Sequence, residues 1–217
     1  MIQNDPLAIL FGSTASVKLL RFFLFNPQNV HSFEDIAWRA RLVRRTARTE
    51  LNILERAGVI RRKYLYEAVP VMGKHGMLSH PYKRRVLGYT LDPAFPILAP
   101  LQTFFFETTP INTKTMLASV KKAGSFDFVA ASGIFVGEFD RRIDALLVAK
   151  NVSEQKTEQA IRTLEAELGI EIKYAFLKTD EFRYRVSMRD KLIRDVFDSP
   201  HEVLIDKLRV YDTLSHA

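Results

Sequence analysis

The chain of 217 residues contains no cysteine. This absence excludes disulfide bonds, cysteine-ligated zinc sites and thiol catalysis, and it is typical of a reducing cytosol. Long hydrophobic runs are also missing, because the segments Phe22–Phe25 and Ile97–Phe106 are too short or too interrupted to span a bilayer. The first residues, MIQNDPLAIL, have no basic stretch ahead of an apolar one, so we expect no signal peptide. Together these features predict a cytoplasmic protein with no membrane partner.

What the sequence does contain is ample apolar material and an uneven distribution of charge. Hydrophobic residues make up 47% of the chain, including 16 phenylalanines, which is enough for a folded core. Residues 1–95 hold 15 Lys and Arg against 7 Asp and Glu, whereas residues 96–217 hold 17 against 18. The net charge of +7 therefore originates in the first part of the chain. This asymmetry favours a polyanion-binding module joined to a neutral one.

Hydrophobic spacing predicts three helices followed by a β-hairpin in the first part. The first helix covers Ser13–Phe25, and Ser32 is the expected N-cap of the second, with Asp35 as its capping-box partner. The third covers Arg44–Ala57 and ends at Gly58. The strands IRRKYLYEAVPV and KRRVLGYTL then form a hairpin with a long tip, MGKHGMLSHPY.

The third helix is predicted to be amphipathic, with one apolar side and one basic side. Ala47, Leu51 and Leu54 recur at helical spacing and would face the core. The opposite side then carries groups that can read base edges, because Arg pairs with guanine and Asn with adenine in the major groove. Those groups are Arg44, Arg45, Arg48, Thr49 and Asn52. Phosphate contacts are expected from Arg41 and from the hairpin cations Arg61, Arg62, Lys63, Lys83, Arg84 and Arg85. The alternative is a merely solvated basic face.

The phrase RRTARTELNILERAGVI resembles the third helix of winged helix-turn-helix transcription regulators, whose skeleton is TV-x-x-x-L-x-x-L-x-x-x-G-hydrophobic. The resemblance covers about Leu10 to Leu91 and implies that the hairpin is the wing. It departs from the family at the start of the third helix, where Val43 takes the place of the usual Ser or Thr cap. A regulator of this kind implies double-stranded DNA as a partner, and a homodimer, since one recognition helix reads one half-site.

The second part of the chain alternates between strand-like and helix-like segments. Strands are expected at Ile143–Ala149 and Ile170–Leu177, with a helix at Ser153–Leu168 between them. The predicted fold class is therefore α+β. Its predicted parts are a DNA-binding domain at 1–95, a helical connector at 96–124, a small α/β domain at 125–208 and a tail at 209–217.

The segment SGIFVGEFDRRIDALLVAKN resembles the signature of minimal nucleotidyltransferases, several of which are fused to winged-helix modules. That family carries Gly-Ser, a short loop and then Asp-x-Asp at the head of a strand, where two carboxylates hold Mg²⁺. Here Ser132 and Gly133 take the Gly-Ser positions, Arg142 replaces the first aspartate, and Asp144 remains. Because a cation stands where the metal belongs, the resemblance implies a degenerate motif with no catalytic residues, no cofactor and no metal. Arg142 and Asp144 are expected to pair with each other or with a neighbour.

Several roles stay open for this second module. Docking, dimerisation, partner binding and nucleotide sensing are each compatible with a motif that has lost its acids. An active nucleotidyltransferase would need a relocated acid set such as Glu138, Asp140 and Asp144. An adaptor that does not touch DNA, or an antitoxin-like partner of a separate toxin, is a further alternative. No zinc site is expected at His75 and His80, because neither cysteine nor a nearby carboxylate accompanies them.

Overall fold

The computed structural model describes the backbone of residues 5–72 and 78–210, and the side chains of residues 5–68 and 83–210. The predicted hairpin tip around His75, the side chain of His80 and most of the predicted tail lie outside the described residues. The chain divides into two compact units, Met1–Thr108 and Thr109–Ala217. Both contain helices and a sheet, so the predicted α+β class is confirmed. Among the described helices, none has the length and apolar character needed to cross a membrane.

The first unit combines five helices with a three-stranded antiparallel sheet of order β1-β3-β2 among its described residues. Its helices are α1 Pro6–Leu10, α2 Thr14–Phe25, α3 Phe33–Arg39, α4 Arg44–Arg56 and α5 Leu98–Thr108. Its strands are β1 His31–Ser32, β2 Ile60–Met72 and β3 Leu78–Leu91. The three predicted helices are confirmed as α2, α3 and α4, and the hairpin as β2 and β3. The second strand begins at Leu78 and not at Lys83, so Leu78–Tyr82 of the predicted tip belong to β3. The short elements α1 and β1 were not predicted.

Side-chain caps explain where two of these helices begin. Ser13 Oγ accepts a hydrogen bond from Ser16 N at 3.0 Å, and Ser32 Oγ accepts one from Asp35 N at 3.3 Å. The prediction that Ser32 is an N-cap is therefore confirmed. The carboxylate of Asp35 instead contacts the buried ring of His31, with its Oδ2 at 2.6 Å from Nδ1. This contact ties the first turn of α3 to β1.

The core of the first unit lies between α2, α3, α4 and the base of the hairpin. Phe23, Ile36 and Leu51 are fully buried at its centre. Phe105 of α5 joins the same cluster, with its ring centroid 5.2 Å from that of Phe11. These side chains hold α4 by one side only, which determines which of its residues reach the solvent.

The backbone of β1 lies very close to the hairpin at Gly88. Gly88 pairs with Ser32, and a Cβ added to Gly88 would lie 2.5 Å from His31 O and 2.6 Å from Leu65 Cδ2.

We expect Gly88→Ala to lower the free energy of unfolding by about 1–3 kcal/mol, because β1 must shift to admit the methyl group. Chemical denaturation of the full chain measures this change in the free energy of unfolding. The neighbouring exposed substitution Leu87→Ala is the control and should change stability by less than about 0.5 kcal/mol; equal effects would contradict the prediction.

The second unit is a four-stranded sheet of order β6-β5-β4-β7 with helices on both faces. Strands β5 and β6 are parallel, and the other pairs are antiparallel. The strands are β4 Phe128–Ala131, β5 Ala145–Val148, β6 Tyr174–Leu177 and β7 Glu202–Asp206. The helices are α6 Thr113–Val120, α7 Glu154–Leu168, α8 Thr179–Ser187 and α9 Lys191–Phe197, and a short 3-10 helix covers Gly133–Val136.

Alternate residues of β4 and β5 enter two separate cores because successive strand side chains point to opposite faces. Val129 and Leu147 pack with residues of α6 and α7. Phe128 and Leu146 pack with residues of α8 and α9, and the ring of Phe128 stacks on that of Phe182 at 4.9 Å. The loops at the ends of these strands carry the predicted nucleotidyltransferase-like motif.

Candidate nucleic-acid interface

Helix α4 is oriented by three apolar residues. Ala47, Leu51 and Leu54 are 0%, 0% and 4% exposed, as their spacing predicts. The N-cap residue of the helix, Val43, makes no side-chain capping bond. The helix ends before Gly58, whose φ of +78° is the left-handed conformation expected there. The turn ahead of it contains Arg41 at a φ of +52°. This packing leaves the rest of α4 facing away from the core.

The groups that the sequence predicts to contact DNA are exposed. On and next to α4 these are Arg41, Arg44, Arg45, Arg48, Thr49 and Asn52. On the hairpin they are Arg61, Arg62, Lys63, Lys83, Arg84 and Arg85. The packing of the first unit therefore brings none of these groups into its interior.

Of the two acids on α4, the one in the middle of the helix contacts α2 and not the arginines of α4. Glu50 accepts a hydrogen bond from Ser13 Oγ at 2.6 Å, at the start of α2. Arg44 pairs with Glu34 of α3. Among the residues that the structure describes, neither Arg45 nor Arg48 has a carboxylate partner. Two cations in the middle of the exposed side are therefore available to an external anion.

An aromatic ring supports the arginine side of α4. The guanidinium carbon of Arg48 lies 5.1 Å from the ring centroid of Phe33, and that of Arg44 lies 5.7 Å from it. A cation over an aromatic face is held by the ring quadrupole, worth about 0.5–1 kcal/mol at exposed sites. Phe33 thereby restrains both side chains without neutralising them.

The hairpin cations differ in how strongly they are already paired. Arg62 Nε lies 2.8 Å from Glu55 Oε1, and this hydrogen-bonded carboxylate raises the pKa of Arg62 above its ordinary value. Looser pairs join Arg84 to Glu67 at 3.7 Å and Arg61 to Asp92 at 3.9 Å. Lys63, Lys83 and Arg85 have no carboxylate partner in the part of the chain that the structure describes.

In the second unit, the predicted motif residues Ser132, Gly133 and Asp144 meet in a buried turn. Asp144 is 1% exposed; its Oδ1 accepts from Ile134 N at 3.0 Å and its Oδ2 accepts from Lys173 N at 2.8 Å. Ser132 Oγ donates to Ile143 O at 2.7 Å. A Cβ on Gly133, whose φ is +52°, would lie 2.0 Å from Asp144 Oδ1. Asp144 therefore links the turn after β4 to the starts of β5 and β6.

Of the two expected alternatives, the pairing of Arg142 with Asp144 is wrong, and Asp144 instead contacts neighbouring groups. Arg142 is exposed, whereas both carboxylate oxygens of Asp144 are taken by backbone amides. Arg141 instead makes the local contacts of this loop, to Glu138 Oε2 and to Ser199 Oγ, each at 3.2 Å. Backbone donors reach the aspartate because the turn folds directly over it.

The acids proposed as a relocated set do not converge. Glu138 pairs with Arg141, Asp140 is exposed, and Asp144 is buried against amides. Within the described ranges, no group of three or more His, Asp or Glu residues could hold a metal ion.

Sequence reasoning missed two buried polar pairs of the first unit. Arg21 is 2% exposed and its Nη2 lies 2.9 Å from Asp5 Oδ2. Asp5 also caps α1 by accepting from Leu7 N at 3.1 Å. In the second pair the buried His31 has its Nδ1 2.6 Å from Asp35 Oδ2, and its ring lies beside Phe22, with ring centroids 4.5 Å apart. An arginine within the otherwise apolar stretch of α2 was the available signal for the first pair.

No family model, no curated protein and no solved structure matches the chain. The function is therefore inferred from the exposed groups of the first unit and from the buried turn of the second.

Proposed function

We propose that the protein is a sequence-specific, double-stranded DNA-binding transcription regulator, and that its first unit is a winged helix-turn-helix. The observation that carries the proposal is the division of α4 into two sides. Its apolar stripe is buried, and its base-reading groups are exposed on the other side.

In this proposal α4 enters the major groove, which is wide enough for one helix. Arg45 and Arg48 are suited to donate pairs of hydrogen bonds to guanine, since neither is held by a carboxylate. Asn52 lies one turn beyond Arg48 and is suited to adenine. Glu50, the acid in the middle of this helix, accepts a hydrogen bond from Ser13 at the start of α2.

The hairpin is proposed to be the wing, and its cations are proposed to meet phosphates. Lys63, Lys83 and Arg85 are exposed and have no carboxylate partner among the described residues. Each neutralised phosphate releases condensed counterions, which makes binding dependent on salt. Arg62 and Arg84 must first exchange their contacts with Glu55 and Glu67. One recognition helix reads only a half-site, so a homodimer acting in the cytoplasm completes the proposal.

We propose that the second unit is a degenerate nucleotidyltransferase-like module used for docking, dimerisation or ligand sensing. What supports a structural role is the state of Asp144, whose two oxygens each accept a backbone N–H in the interior. A carboxylate held in this way stabilises the fold and has no oxygen turned to solvent.

The proposal is tested by separating base contacts from phosphate contacts. Binding to a DNA fragment selected by the purified protein is compared with binding to random duplex. Arg48→Ala and Asn52→Ala are each expected to reduce the discrimination between selected and random DNA about tenfold, since a base contact contributes about 1–3 kcal/mol.

Arg84→Ala and Arg62→Ala are expected to weaken binding to both DNAs equally. They are also expected to reduce the slope of affinity against salt concentration by about 1.

The proposal that the protein binds duplex DNA is tested by the salt dependence of duplex binding by the unmodified chain. A protein that neutralises several phosphates loses affinity steeply between roughly 50 and 200 mM salt. Duplex binding that is absent at low salt would contradict the regulator role. Helix and hairpin substitutions with the same effect would contradict the proposed placement of α4.

A further inference from the structure

One face of the hairpin combines exposed aromatic rings with cations, and a regulator that reads duplex DNA does not require this combination. Paired residues of adjacent strands lie on the same face, so the register places Tyr64 beside Leu87 and Tyr66 beside Arg85. Tyr64 is 55% exposed and Tyr66 is 68% exposed. Two large rings therefore project from one face into solvent.

The cations on this face are positioned next to the rings. The guanidinium carbon of Arg85 lies 3.7 Å from the ring centroid of Tyr64, which is a close stacking contact. Lys83 pairs with Ala68 and continues the same face toward the tip. The carboxylate of β2, Glu67, pairs with Arg84 and so belongs to the opposite face. The aromatic face, defined here by Tyr64, Tyr66, Lys83 and Arg85, thus has rings and positive charge together.

This chemistry fits nucleic acid whose bases are not paired. In a duplex the bases stack on each other and present only their edges, so a tyrosine ring has no base face to cover. Unpaired bases do stack on aromatic rings and on guanidinium planes, while nearby cations follow the phosphates. Residues two apart on a strand are separated by roughly 6.8 Å, twice the roughly 3.4 Å spacing of stacked bases.

We propose that the aromatic face of the hairpin is a binding site for single-stranded nucleic acid, in which Tyr64 and Tyr66 stack on bases while Lys83 and Arg85 contact phosphates. The site does not depend on the role proposed for α4, because it lies on a different element and reads a different form of nucleic acid. It shares Lys83 and Arg85 with the phosphate contacts proposed for the wing.

The test uses the full chain and two labelled probes, a short oligothymidine and an oligouridine of the same length, with binding followed by fluorescence anisotropy. Tyr66→Leu is expected to weaken binding about tenfold, the equivalent of one lost stacking contact. The slope of affinity against salt should stay unchanged, because no phosphate contact is removed. Tyr66→Phe keeps the ring and should bind as the unmodified chain does.

A matched control is available in the second unit. Tyr184 is 65% exposed on α8, so Tyr184→Leu removes an equally accessible ring from elsewhere in the chain. This variant should bind both probes normally. Arg85→Gln should weaken binding and also lower the salt slope, since it removes a cation together with its stacking plane.

Three results would overturn the site. They are no binding of either probe, binding that survives Tyr64→Leu combined with Tyr66→Leu, and an equal loss in Tyr184→Leu. Tyrosine-dependent binding of either probe supports it, and a preference for one probe shows whether the site favours the thymine deoxyribonucleotide or the uracil ribonucleotide. Blunt duplex is measured on the same variants, so that failure of duplex binding counts against the regulator role alone.

Discussion

Replacement of Asp144 by alanine is expected to lower the free energy of unfolding of the second unit by about 3 kcal/mol. The aspartate is 1% exposed and accepts hydrogen bonds from the amides of Ile134 and Lys173. Asp144→Ala leaves both amides without their acceptor, and each unsatisfied buried group costs about 1–3 kcal/mol. Hydrogen exchange of the Ile134 and Lys173 amides, together with chemical denaturation of the full chain, measures the loss.

Two further variants test whether the loss of stability comes from the missing hydrogen-bond acceptor or only from the missing charge. Asp144→Asn keeps one carbonyl acceptor but turns an NH₂ donor toward the other amide, so we expect about half of the loss. Asp140→Ala removes an exposed carboxylate from the same loop and should change stability by less than about 0.5 kcal/mol. Equal stabilities of the Asp144→Ala and Asp140→Ala chains would refute the structural role of Asp144.

Reversing two charges on α4 is expected to reduce duplex binding by a hundredfold or more. Arg45→Glu combined with Arg48→Glu removes two proposed contacts of about 1–3 kcal/mol each and adds repulsion from phosphate. The slope of affinity against salt should also fall by about 2 or more. Electrophoretic mobility shift and anisotropy titrations at several salt concentrations measure both quantities.

A control with the same net charge distinguishes a local contact from long-range attraction. Arg142→Glu combined with Arg183→Glu makes an equal change at exposed positions of the second unit. This pair should lower duplex affinity much less, because neither arginine is among the proposed DNA contacts. If the two double variants lose affinity equally, net charge rather than α4 accounts for binding.

Periodicity in the sequence was sufficient to locate α2, α3 and α4 of the first unit. Ala47, Leu51 and Leu54 recur at helical spacing, so the burial of one side of α4 and the exposure of Arg45 and Arg48 could be predicted. Gly169 likewise ends α7 with a φ of +76°, as a terminal glycine predicts. These features depend on residues a few positions apart, which a single sequence displays directly.

Features that join distant residues could not be predicted in the same way. The strand expected from Ile170 begins only at Tyr174, because Ile172 N donates to Glu165 of α7 at 2.8 Å instead of entering the sheet. The acceptor role of Asp144 depends on amides 10 and 29 positions away. Main-chain donors are common to nearly every residue, so no residue type signals which amide an aspartate binds.

The aromatic face also illustrates this difference. The alternation of Tyr64 and Tyr66 along a strand is visible in the sequence, but their alignment with Leu87 and Arg85 depends on hairpin register. The register shifts between Val69 and Val71, and periodicity does not reveal that shift. The stacking of Arg85 on Tyr64 therefore emerged only from the structure.

The length of the hairpin has a consequence for the size of the footprint on DNA. Strand β2 has 13 residues, which at about 3.3 Å per residue span roughly 43 Å. One turn of B-form duplex measures roughly 34 Å. In the proposed regulator, a hairpin that lies along the duplex axis would extend past the neighbouring groove, and nuclease protection would then reach about a full turn farther on the hairpin side than on the other.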